Sequence, residues 1–398
     1  MAKKEGYLTL KESRKIIKHN VKQMRYYERL KKKKVDVSYY SGKMKDPNNA
    51  IEIENLETNF FTDNGTVKSV NGVSFSIPKN KIIGVVGESG CGKSVTSLSI
   101  MQLVQAPQGQ IVGGSIRFNT DEKDADGDNI SYDIAKMPMK DMYKIRGKDI
   151  TMIFQEPMTS LNPVFTIGYQ LDEVMFIHYP ETTKEQAKAH SIEMLNQVGI
   201  SMPERVYNSY PHELSGGMRQ RVMIAMALAG NPKLIIADEP TTALDVTIQA
   251  QILELLKDIQ KRSGCAIMLI THGALRDCKR KLGTKAKGTL TFGINEAIAS
   301  DIVIEKGTVR EVFHNPLHPY TIGLQKSKPL INSNTNEPLY SIPGQVPNPI
   351  NMPDTCFFRG RCNKCIKKCS GKYPSEVYVS DTHMVACYLY DKEGKENE

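Results

Sequence analysis

The chain has 398 residues, of which 40% are hydrophobic and 24% charged, a composition that excludes a disordered or fibrous protein. This length is enough for about two or three globular domains. Apolar runs such as residues 81–86 are far shorter than the roughly 20 residues that a membrane-spanning helix needs. The first residues lack the apolar core of a secretory signal, so we expect a protein that stays in the cytosol.

The net charge of +9 is distributed unevenly along the chain. Residues 1–50 contain 15 Lys and Arg but only 5 Asp and Glu, a net charge of +10, whereas the remaining 348 residues carry −1. Apolar residues recur at helical spacing beneath this basic face, namely Ile16, Ile17, Val21, Met24 and Tyr27. The pattern predicts one exposed amphipathic helix in a basic N-terminal extension, not a basic fold.

From residue 51 to about residue 306, short apolar runs alternate with helical patterns, which is typical of an α/β fold on a mostly parallel sheet. Three runs have the length and composition of strands covered on both faces: Ile82–Val86, Leu234–Ala237 and Ile267–Ile270. Apolar residues between Val246 and Lys261 recur every three or four positions, which predicts a helix with one buried face. The acidic stretch 121–128 lacks the Gly and Glu positions of a calcium loop, so we expect a surface loop.

Residues Gly87–Ser94 read Gly-Glu-Ser-Gly-Cys-Gly-Lys-Ser and lie between the first of these strands and a helical pattern. This is the context of a nucleotide phosphate loop (P-loop), whose glycines turn backbone N–H groups toward phosphate oxygens at a positive helix end. Lys93 is predicted to neutralise the β- and γ-phosphates, and the Ser94 hydroxyl to bind Mg²⁺. Cys91 is expected to be a small filler inside the loop.

The strand at residues 234–237 is followed by Asp238 and Glu239, which complete such a site. Asp238 suits a magnesium contact, direct or through water, and Glu239 is placed to orient or deprotonate the water that attacks the γ-phosphate. The segment Leu214–Met218 offers a second phosphate-binding surface, because a Ser hydroxyl and two glycines again precede a helical pattern.

These motifs, together with Gln155, Thr242–Asp245 and His272, occur in the order found in ATP-binding cassette (ABC) subunits, and the sequence resembles that family. The resemblance implies an ABC-type P-loop ATPase core with a helical subdomain. It also implies a head-to-tail dimer that holds ATP between the P-loop of one subunit and the Leu-Ser-Gly-Gly segment of the other.

The same resemblance implies a role for each matching residue. Gln155 would sense the metal and the water and couple to the membrane partner, His272 would contact the γ-phosphate, and Asp245 would cross the dimer interface. The catalytic residues are then Glu239, His272 and Gln155, and the Mg²⁺ ligands are Ser94, Gln155 and Asp238. The expected ATP-contacting residues are Gly87, Ser89, Gly90, Gly92, Lys93, Ser94, Val95, Ser215, Gly216, Gly217, Asp245 and, for adenine stacking, Phe61 or its neighbour Phe60.

Longer strings resemble a narrower group. Residues 152–163, 214–225 and 238–247 resemble the ATPases of bacterial oligopeptide, dipeptide and nickel importers, and Met218 with Thr241-Thr242 resembles their first, D-type ATPase. This implies an ATPase at the cytoplasmic face of the membrane. Its implied partners are a second, related ATPase, two membrane permeases and, indirectly, an extracellular or periplasmic peptide-binding protein, with no nucleic acid.

After about residue 321 Pro and Asn become frequent and periodicity is lost, which predicts a small irregular module rich in cysteine. Five of the eight cysteines lie between Cys356 and Cys387, and in a reducing compartment such clustering indicates a metal site first. The segment resembles the terminal domain of the same importer ATPases. That resemblance makes Cys356, Cys362, Cys369 and Cys387 the ligands of a [4Fe–4S] cluster, with zinc or free thiols as alternatives and Cys365 as an extra thiol.

The predicted boundaries are residues 1–50 for the basic extension, 51–320 for the ATPase with its helical subdomain at about 156–230, and 321–398 for the C-terminal module. The sequence departs from the family between Gly273 and about residue 301, which leaves a benign insertion, a decaying gene and a sequence error open. A solvated tail, an anionic-lipid contact and a permease contact are open for the basic extension. The alternatives to peptide import are a non-transport ABC ATPase acting on ribosomes or nucleic acid, and a catalytically weak scaffold subunit.

Overall fold

The computed structural model describes residues 9–88, 90–124, 126–242, 244–271, 289–294, 302–327, 340–344, 350 and 354–391. Within them the strands are β1 (Ser41–Lys43), β2 (Asn49–Thr62), β3 (Gly65–Pro78), β4 (Ile82–Val86), β5 (Gly109–Lys123), β6 (Asn129–Asp133), β7 (Ile150–Ile153), β8 (Leu234–Asp238), β9 (Ala266–Thr271), β10 (Thr289–Ile294), β11 (Ile302–Thr308), β12 (Val377–Tyr378) and β13 (Met384–Val385). The helices are α1 (Leu10–Lys32), α2 (Lys93–Ile100), α3 (Met139–Ile145), α4 (Pro157–Ser160), α5 (Ile167–His178), α6 (Lys184–Gln197), α7 (Pro203–Tyr207), α8 (Gly216–Leu228), α9 (Val246–Ser263), α10 (Val309–His314) and α11 (Pro319–Lys326).

The strands form two sheets. One is antiparallel, with the order β1-β6-β5-β2-β3, and the other has the order β12-β13-β11-β10-β4-β9-β8-β7. The segment β10-β4-β9-β8-β7 of the second sheet is parallel, and β11, β12 and β13 join it in antiparallel pairs. The predicted α/β fold with a mostly parallel sheet is confirmed, and an antiparallel sheet accompanies it.

The entirely apolar run of β8 follows from its position between two hydrophobic cores. Leu234 and Ile236 belong to the core shared with the antiparallel sheet, whereas Ile235 and Ala237 belong to the core that the sheet forms with helices α5 to α9. Successive side chains of a strand point to opposite faces, so a strand covered on both faces must be apolar throughout. The predicted strands at β4, β8 and β9 and the predicted helix α9 are therefore confirmed.

Helices α4 to α8 lie between β7 and β8 in the sequence, and α5, α6, α7 and α8 contact one another. Asp172 of α5 links three of these helices, because its carboxylate accepts hydrogen bonds from Ser191 Oγ of α6 (2.6 Å) and Tyr207 Oη of α7 (2.6 Å). The helices occupy the range predicted for a helical subdomain. The domain boundaries themselves stay a prediction.

Helix α1 packs on the antiparallel sheet, although the sequence predicted an exposed helix. It contacts β2, β3 and β5, and the buried amide of Asn20 donates to the carbonyls of Thr62 (2.7 Å) and Gly65 (3.1 Å) in the β2–β3 turn. The predicted helix is confirmed, and most of its side chains are exposed or half-buried, with Asn20 its one buried residue. The packing of one face on the sheet was not anticipated. The apolar residues at helical spacing, of which Ile16, Val21, Met24 and Tyr27 are half-buried, mark the face that packs, but they do not identify the sheet as its partner.

The acidic stretch 121–128 spans the end of β5 and the turn to β6. Lys43 lies within 4 Å of the carboxylates of Asp124, Asp126 and Asp128, at 3.5, 3.7 and 2.6 Å. A lysine ammonium thus faces these carboxylates at the protein surface. The turn after β5 agrees with the predicted surface loop, whereas residues 121–123 belong to the strand.

The C-terminal residues extend the parallel sheet. Strand β13 pairs with β11, and the buried Glu305 carboxylate accepts hydrogen bonds from the backbone N–H groups of Leu317 (2.9 Å) and His318 (3.0 Å). His383 Nε2 lies 2.9 Å from the same carboxylate. Within the part of the chain that the structure describes, no helix combines the length and apolarity needed to span a membrane.

Candidate active site

The P-loop connects β4 to α2. Gly90 and Gly92 have φ values of +80° and +78°, in the left-handed region that favours glycine, which explains why these positions are not occupied by larger residues. Helix α2 begins at Lys93 immediately after Gly92. The N–H groups of its first turn have no partner within the helix and form, with the helix dipole, a site for anionic oxygens.

Lys93 is buried and lies across the loop. Its Nζ donates to the backbone oxygens of Gly87 (3.1 Å) and Glu88 (2.8 Å), so the ammonium is held at the centre of the P-loop. Ser94 and Val95 are half-buried in the first turn of α2. Cys91 is buried, as predicted for a filler, and its Sγ lies 3.5 Å from Lys93 Nζ. Ser89 lies outside the described residues.

Asp238 and Glu239 follow at the same edge of the parallel sheet. In the register of the strands Asp238 lies opposite Ile270 on β9, and Val86 at the end of β4 lies opposite Thr271. Because the strands are parallel, their carboxyl ends meet at one edge, which brings the Asp-Glu pair to the P-loop. Glu239 leaves the strand with φ +48°, and its N–H donates to the Ile270 oxygen (3.0 Å).

Among the described residues, the side chains of Gln155 and Thr242 hold the Glu239 carboxylate. Gln155 Nε2 donates to Glu239 Oε2 at 2.8 Å, and Thr242 Oγ1 donates to the same oxygen at 3.0 Å. Gln155 comes two residues after β7, the strand next to β8, so the sheet order alone accounts for this meeting. The carboxylate is 4% exposed, and both neighbours limit its rotation.

Thr242 was missed as a partner of Glu239. It lies three residues after Glu239, and its backbone N–H donates to the backbone carbonyl oxygen of Glu239 at 3.1 Å, which closes a turn. A hydroxyl residue three positions after a strand-end carboxylate is the signal that identifies such a partner.

Ser215 caps the second helix that the sequence singled out. Its exposed Oγ accepts from the N–H of Met218 (3.3 Å) at the start of α8. A Cβ placed on Gly217 would lie 3.1 Å from Ile248 Cγ2, and one on Gly216 would lie 3.6 Å from Leu244 Cδ2. These contacts place the Ser215–Gly217 segment beside the start of α9.

Asp245 also acts as a helix cap. Its exposed carboxylate oxygen Oδ1 accepts from the N–H groups of Thr247 and Ile248, both at 3.0 Å, at the start of α9. Capping of α9 is therefore sufficient to explain why residue 245 is an Asp, without any contact to a second chain. Contact across a dimer interface stays a prediction.

Phe61 has a packing partner within the chain. Its ring is 6% exposed and stacks on Tyr27 of α1, with ring centroids 6.3 Å apart and an interplanar angle of 16°. Phe60 is its neighbour on β2, on the alternate face of the strand. Adenine stacking by either ring stays a prediction.

His272 and most of the atypical stretch after it lie outside the described residues. Part of that stretch is a strand, because residues 289–294 form β10, which pairs in parallel with β4 and antiparallel with β11. The central sheet therefore continues through the region in which the sequence departs from the family.

The C-terminal cysteines are neighbours in space. The N–H of Cys356 donates to the Cys369 oxygen (3.3 Å). Burial, with a further contribution from nearby cysteines, raises the pKa of Cys356 to about 12 and that of Cys387 to about 11. In the described part of the chain, no three or more His, Cys, Asp or Glu side chains are arranged to hold a metal ion. The predicted iron–sulfur site at Cys356, Cys362, Cys369 and Cys387 is not confirmed.

A P-loop and a strand-end Asp-Glu pair on a parallel sheet, beside an antiparallel sheet and a serine-capped helix, define an ATP-binding cassette. The fold is that of solved cassettes. The ATP-binding cassette MJ0796, in a dimeric post-hydrolysis state bound to ADP and Pi, aligns with a TM-score of 0.52 at 23% identity over 65% of this chain and 99% of that one. CbiO1 of Clostridium perfringens, part of the ABC transporter complex cbiONQ, aligns with a TM-score of 0.51 at 22% identity, over 67% and 92%.

Sequence comparison narrows the class. The ABC transporter family matches residues 70–242, and the oligopeptide/dipeptide transporter C-terminal region matches residues 304–369. The oligopeptide transport ATP-binding protein AppD of Bacillus subtilis is 45% identical over 348 residues, 87% of this chain and 98% of AppD. OppD of the same organism is 45% identical over 85% of this chain and 88% of OppD, and the dipeptide transport protein DppD is 42% identical over 86% and 95%. The chain belongs to the family of ATP-binding subunits of oligopeptide and dipeptide ABC transporters.

Proposed function

We propose that this chain is the subunit that binds and hydrolyses ATP to power an ABC importer for oligopeptides or dipeptides. The observation that carries the proposal is the Gln155–Glu239–Thr242 network beside the P-loop, at 2.8 and 3.0 Å. A buried carboxylate held by two donors at a phosphate-binding edge is suited to orient a water molecule for attack on a phosphate.

The residues present fit a magnesium nucleotide. The P-loop N–H groups and Lys93 suit the phosphates, and Ser94, Asp238 and Gln155 offer the hard oxygen donors that Mg²⁺ prefers. When bound, the ion neutralises charge on the phosphates. Lys93 would exchange its two loop carbonyls for phosphate oxygens, and Glu239 would hold the attacking water and accept its proton.

The assembly that we propose has a second, related ATPase and two membrane permeases at the cytoplasmic face of the membrane, with a peptide-binding protein outside. The exposed Ser215 hydroxyl supports a role toward the ATP of a partner ATPase, because this helix start faces solvent in the single chain. Exposed apolar side chains follow Gln155 in the helical region and support a permease contact there: Val164, Phe165, Tyr169 and Ile177.

The iron–sulfur cluster is a separate and finer proposal, which rests on the spacing of Cys356, Cys362, Cys369 and Cys387 and on the mutual proximity of these thiols. Among the described residues no three or more ligand side chains are gathered around one point, so no step of the reaction is assigned to a cluster. Iron and zinc content of the purified protein, with its visible absorption spectrum, tests this proposal apart from the ATPase.

The function is tested on the membrane complex that co-purifies with this chain. Glu239→Gln should lower kcat for ATP hydrolysis by about a hundredfold or more while ATP binding is retained, because the base and not the phosphate site is changed. Glu254→Gln, which removes an exposed carboxylate on α9, is the matched control and should leave kcat unchanged.

Equal effects of the two substitutions would remove Glu239 from the mechanism. Recovery of no membrane partner would contradict the importer assignment. The ribosome or nucleic-acid alternative is not favoured, since the relatives reported above are named as transport proteins; salt-sensitive RNA binding that survives deletion of residues 1–50 would revive it.

A further inference from the structure

The carboxylate of Glu88, the second residue of the P-loop, is paired with an arginine from the C-terminal segment. Arg361 Nη1 donates to Glu88 Oε2 and Nη2 donates to Oε1, both at 3.2 Å. The side chain of Arg361 is 6% exposed and that of Glu88 is 23% exposed. This is the two-pronged geometry in which a guanidinium binds a carboxylate most strongly and with a fixed orientation.

Arg361 is itself fixed within the C-terminal segment before it reaches the loop. Its Nε donates to the Pro343 oxygen (3.2 Å), and its guanidinium lies 5.9 Å from the centre of the Phe358 ring. Gly344 has φ +90°, and a Cβ there would lie 3.0 Å from Arg361 Cγ, so the backbone approaches the arginine closely. The fork is therefore held in place and does not sample many rotamers.

A second link joins the same P-loop residue to α11. The N–H of Glu88 donates to Tyr320 Oη at 3.0 Å, and the ring of the fully buried Tyr320 packs against Phe358 at 5.5 Å. Both rings belong to a hydrophobic cluster that includes Val86, the last residue of β4. The remaining backbone group of Glu88, its carbonyl, accepts from Lys93 (2.8 Å).

We propose that Arg361 is a positioning residue of the P-loop, through which the C-terminal segment sets the affinity for ATP. Arg361 orients Glu88 and neutralises its carboxylate, which would otherwise place a negative charge beside the triphosphate. Tyr320 fixes the backbone of the same residue. The proposal rests on the proposed function, because it assumes that the P-loop binds ATP.

The test is the ATP dependence of hydrolysis by the co-purified complex. Arg361→Gln should raise KM for ATP about tenfold, equivalent to about 1.4 kcal/mol, with kcat changed less than about twofold. Arg361→Lys should restore only part of the affinity, because an ammonium cannot form the fork. Arg359→Gln removes an exposed arginine two residues away and should leave KM unchanged.

A double variant separates charge from folding. Glu88→Gln added to Arg361→Gln removes the unpaired carboxylate and should lower KM again toward the wild-type value. Tyr320→Phe keeps the packing of the ring and should raise KM about threefold through loss of one hydrogen bond, so the proposal remains testable if Arg361→Gln fails to fold.

The outcomes also distinguish this inference from the function on which it rests. If Lys93→Ala abolishes ATP binding while Arg361→Gln and Tyr320→Phe behave like Arg359→Gln, the positioning role is overturned and the ATPase stands. If Lys93→Ala leaves nucleotide binding unchanged, the proposed function itself fails. A fall in kcat with unchanged KM for Arg361→Gln would also overturn the inference.

Discussion

Gln155 and Glu239, 84 residues apart in the chain, meet at the carboxyl edge of the parallel sheet, where Gln155 Nε2 donates to Glu239 Oε2 at 2.8 Å. Gln155 is exposed and Glu239 is buried, so the amide connects the surface of the helical region to the carboxylate beside the P-loop. An amide suits this position because it can donate to the carboxylate without competing with it for a proton.

Replacement of Gln155 by Glu should inhibit hydrolysis more than replacement by Ala. Ala removes one donor, whereas Glu places a second negative charge at hydrogen-bond distance from Glu239, and like charges that close compete for one proton. We expect kcat to fall about tenfold for Ala and about a hundredfold for Glu, as measured by phosphate release from the complex.

A matched control for this charge effect exists on α6. Gln197 Nε2 donates to Glu193 Oε1 at 3.2 Å on an exposed helix surface. Gln197→Glu creates the same pair of carboxylates in solvent, where the repulsion is screened, and should leave kcat unchanged. A Gln155→Glu variant as active as Gln197→Glu would show that the hydrogen bond to Glu239 has no part in hydrolysis.

Thr242→Val should lower kcat several-fold, and Thr242→Ser should not. Both substitutions alter the side chain, but only Val lacks the hydroxyl that donates to Glu239 Oε2 at 3.0 Å. A hydrogen bond to a charged group contributes about 1.5–3 kcal/mol, which sets the upper limit of the effect. Equal kcat values for the Val and Ser variants would contradict the role of the hydroxyl.

The sequence predicted those elements in which burial or backbone conformation restricts the residue types at each position. Strand β8 is apolar throughout because alternate side chains enter two different cores, and the P-loop glycines occupy positive φ values, so both leave a local pattern. The meeting of Gln155 with Glu239 could be anticipated from motif order and a parallel sheet.

Contacts between distant segments left no such pattern. Arg361 and Glu88 are 273 residues apart, and nothing in the residues around either one indicates the other. On α1 the periodic apolar residues indicate one packed face, but nothing in them indicates that the antiparallel sheet covers it, as the contacts of Tyr27 and Asn20 show. Hydrophobic periodicity identifies a buried face but not the surface that covers it.

Asn20→Ala should loosen α1 and the β2–β3 turn. The substitution removes the donor to the Thr62 and Gly65 carbonyls (2.7 and 3.1 Å). Each lost hydrogen bond costs about 0.5–1.5 kcal/mol, so amide hydrogen exchange in α1 and in residues 62–66 should accelerate. His19→Ala, at the exposed neighbouring position, should leave exchange unchanged, and equal protection in both variants would show that Asn20 does not secure the helix.

The folded chain should become less stable in mild acid because its buried His318 side chain resists protonation. Burial lowers the pKa of this imidazole to about 3, and its Nδ1 accepts from the N–H of Tyr320 (3.1 Å), which requires the neutral ring. In the unfolded chain the pKa returns to about 6.5, so between about pH 6.5 and 3 the unfolded state binds a proton that the folded state does not. The stabilisation is present above pH 6.5 and is lost as the pH falls through this window.

His318→Asn isolates this contribution. Asn can still accept a hydrogen bond at the helix cap but does not titrate. The free energy of unfolding of the variant should therefore lack the loss of up to about 1.4 kcal/mol per pH unit that His318 causes below pH 6.5. Urea unfolding of the full chain at pH 7.5, 6.0 and 5.0 measures the difference, with His19→Asn as the exposed control. If the His318→Asn variant keeps the pH dependence of the wild type, the acid sensitivity belongs to other groups, because the variant has no imidazole at this position to protonate.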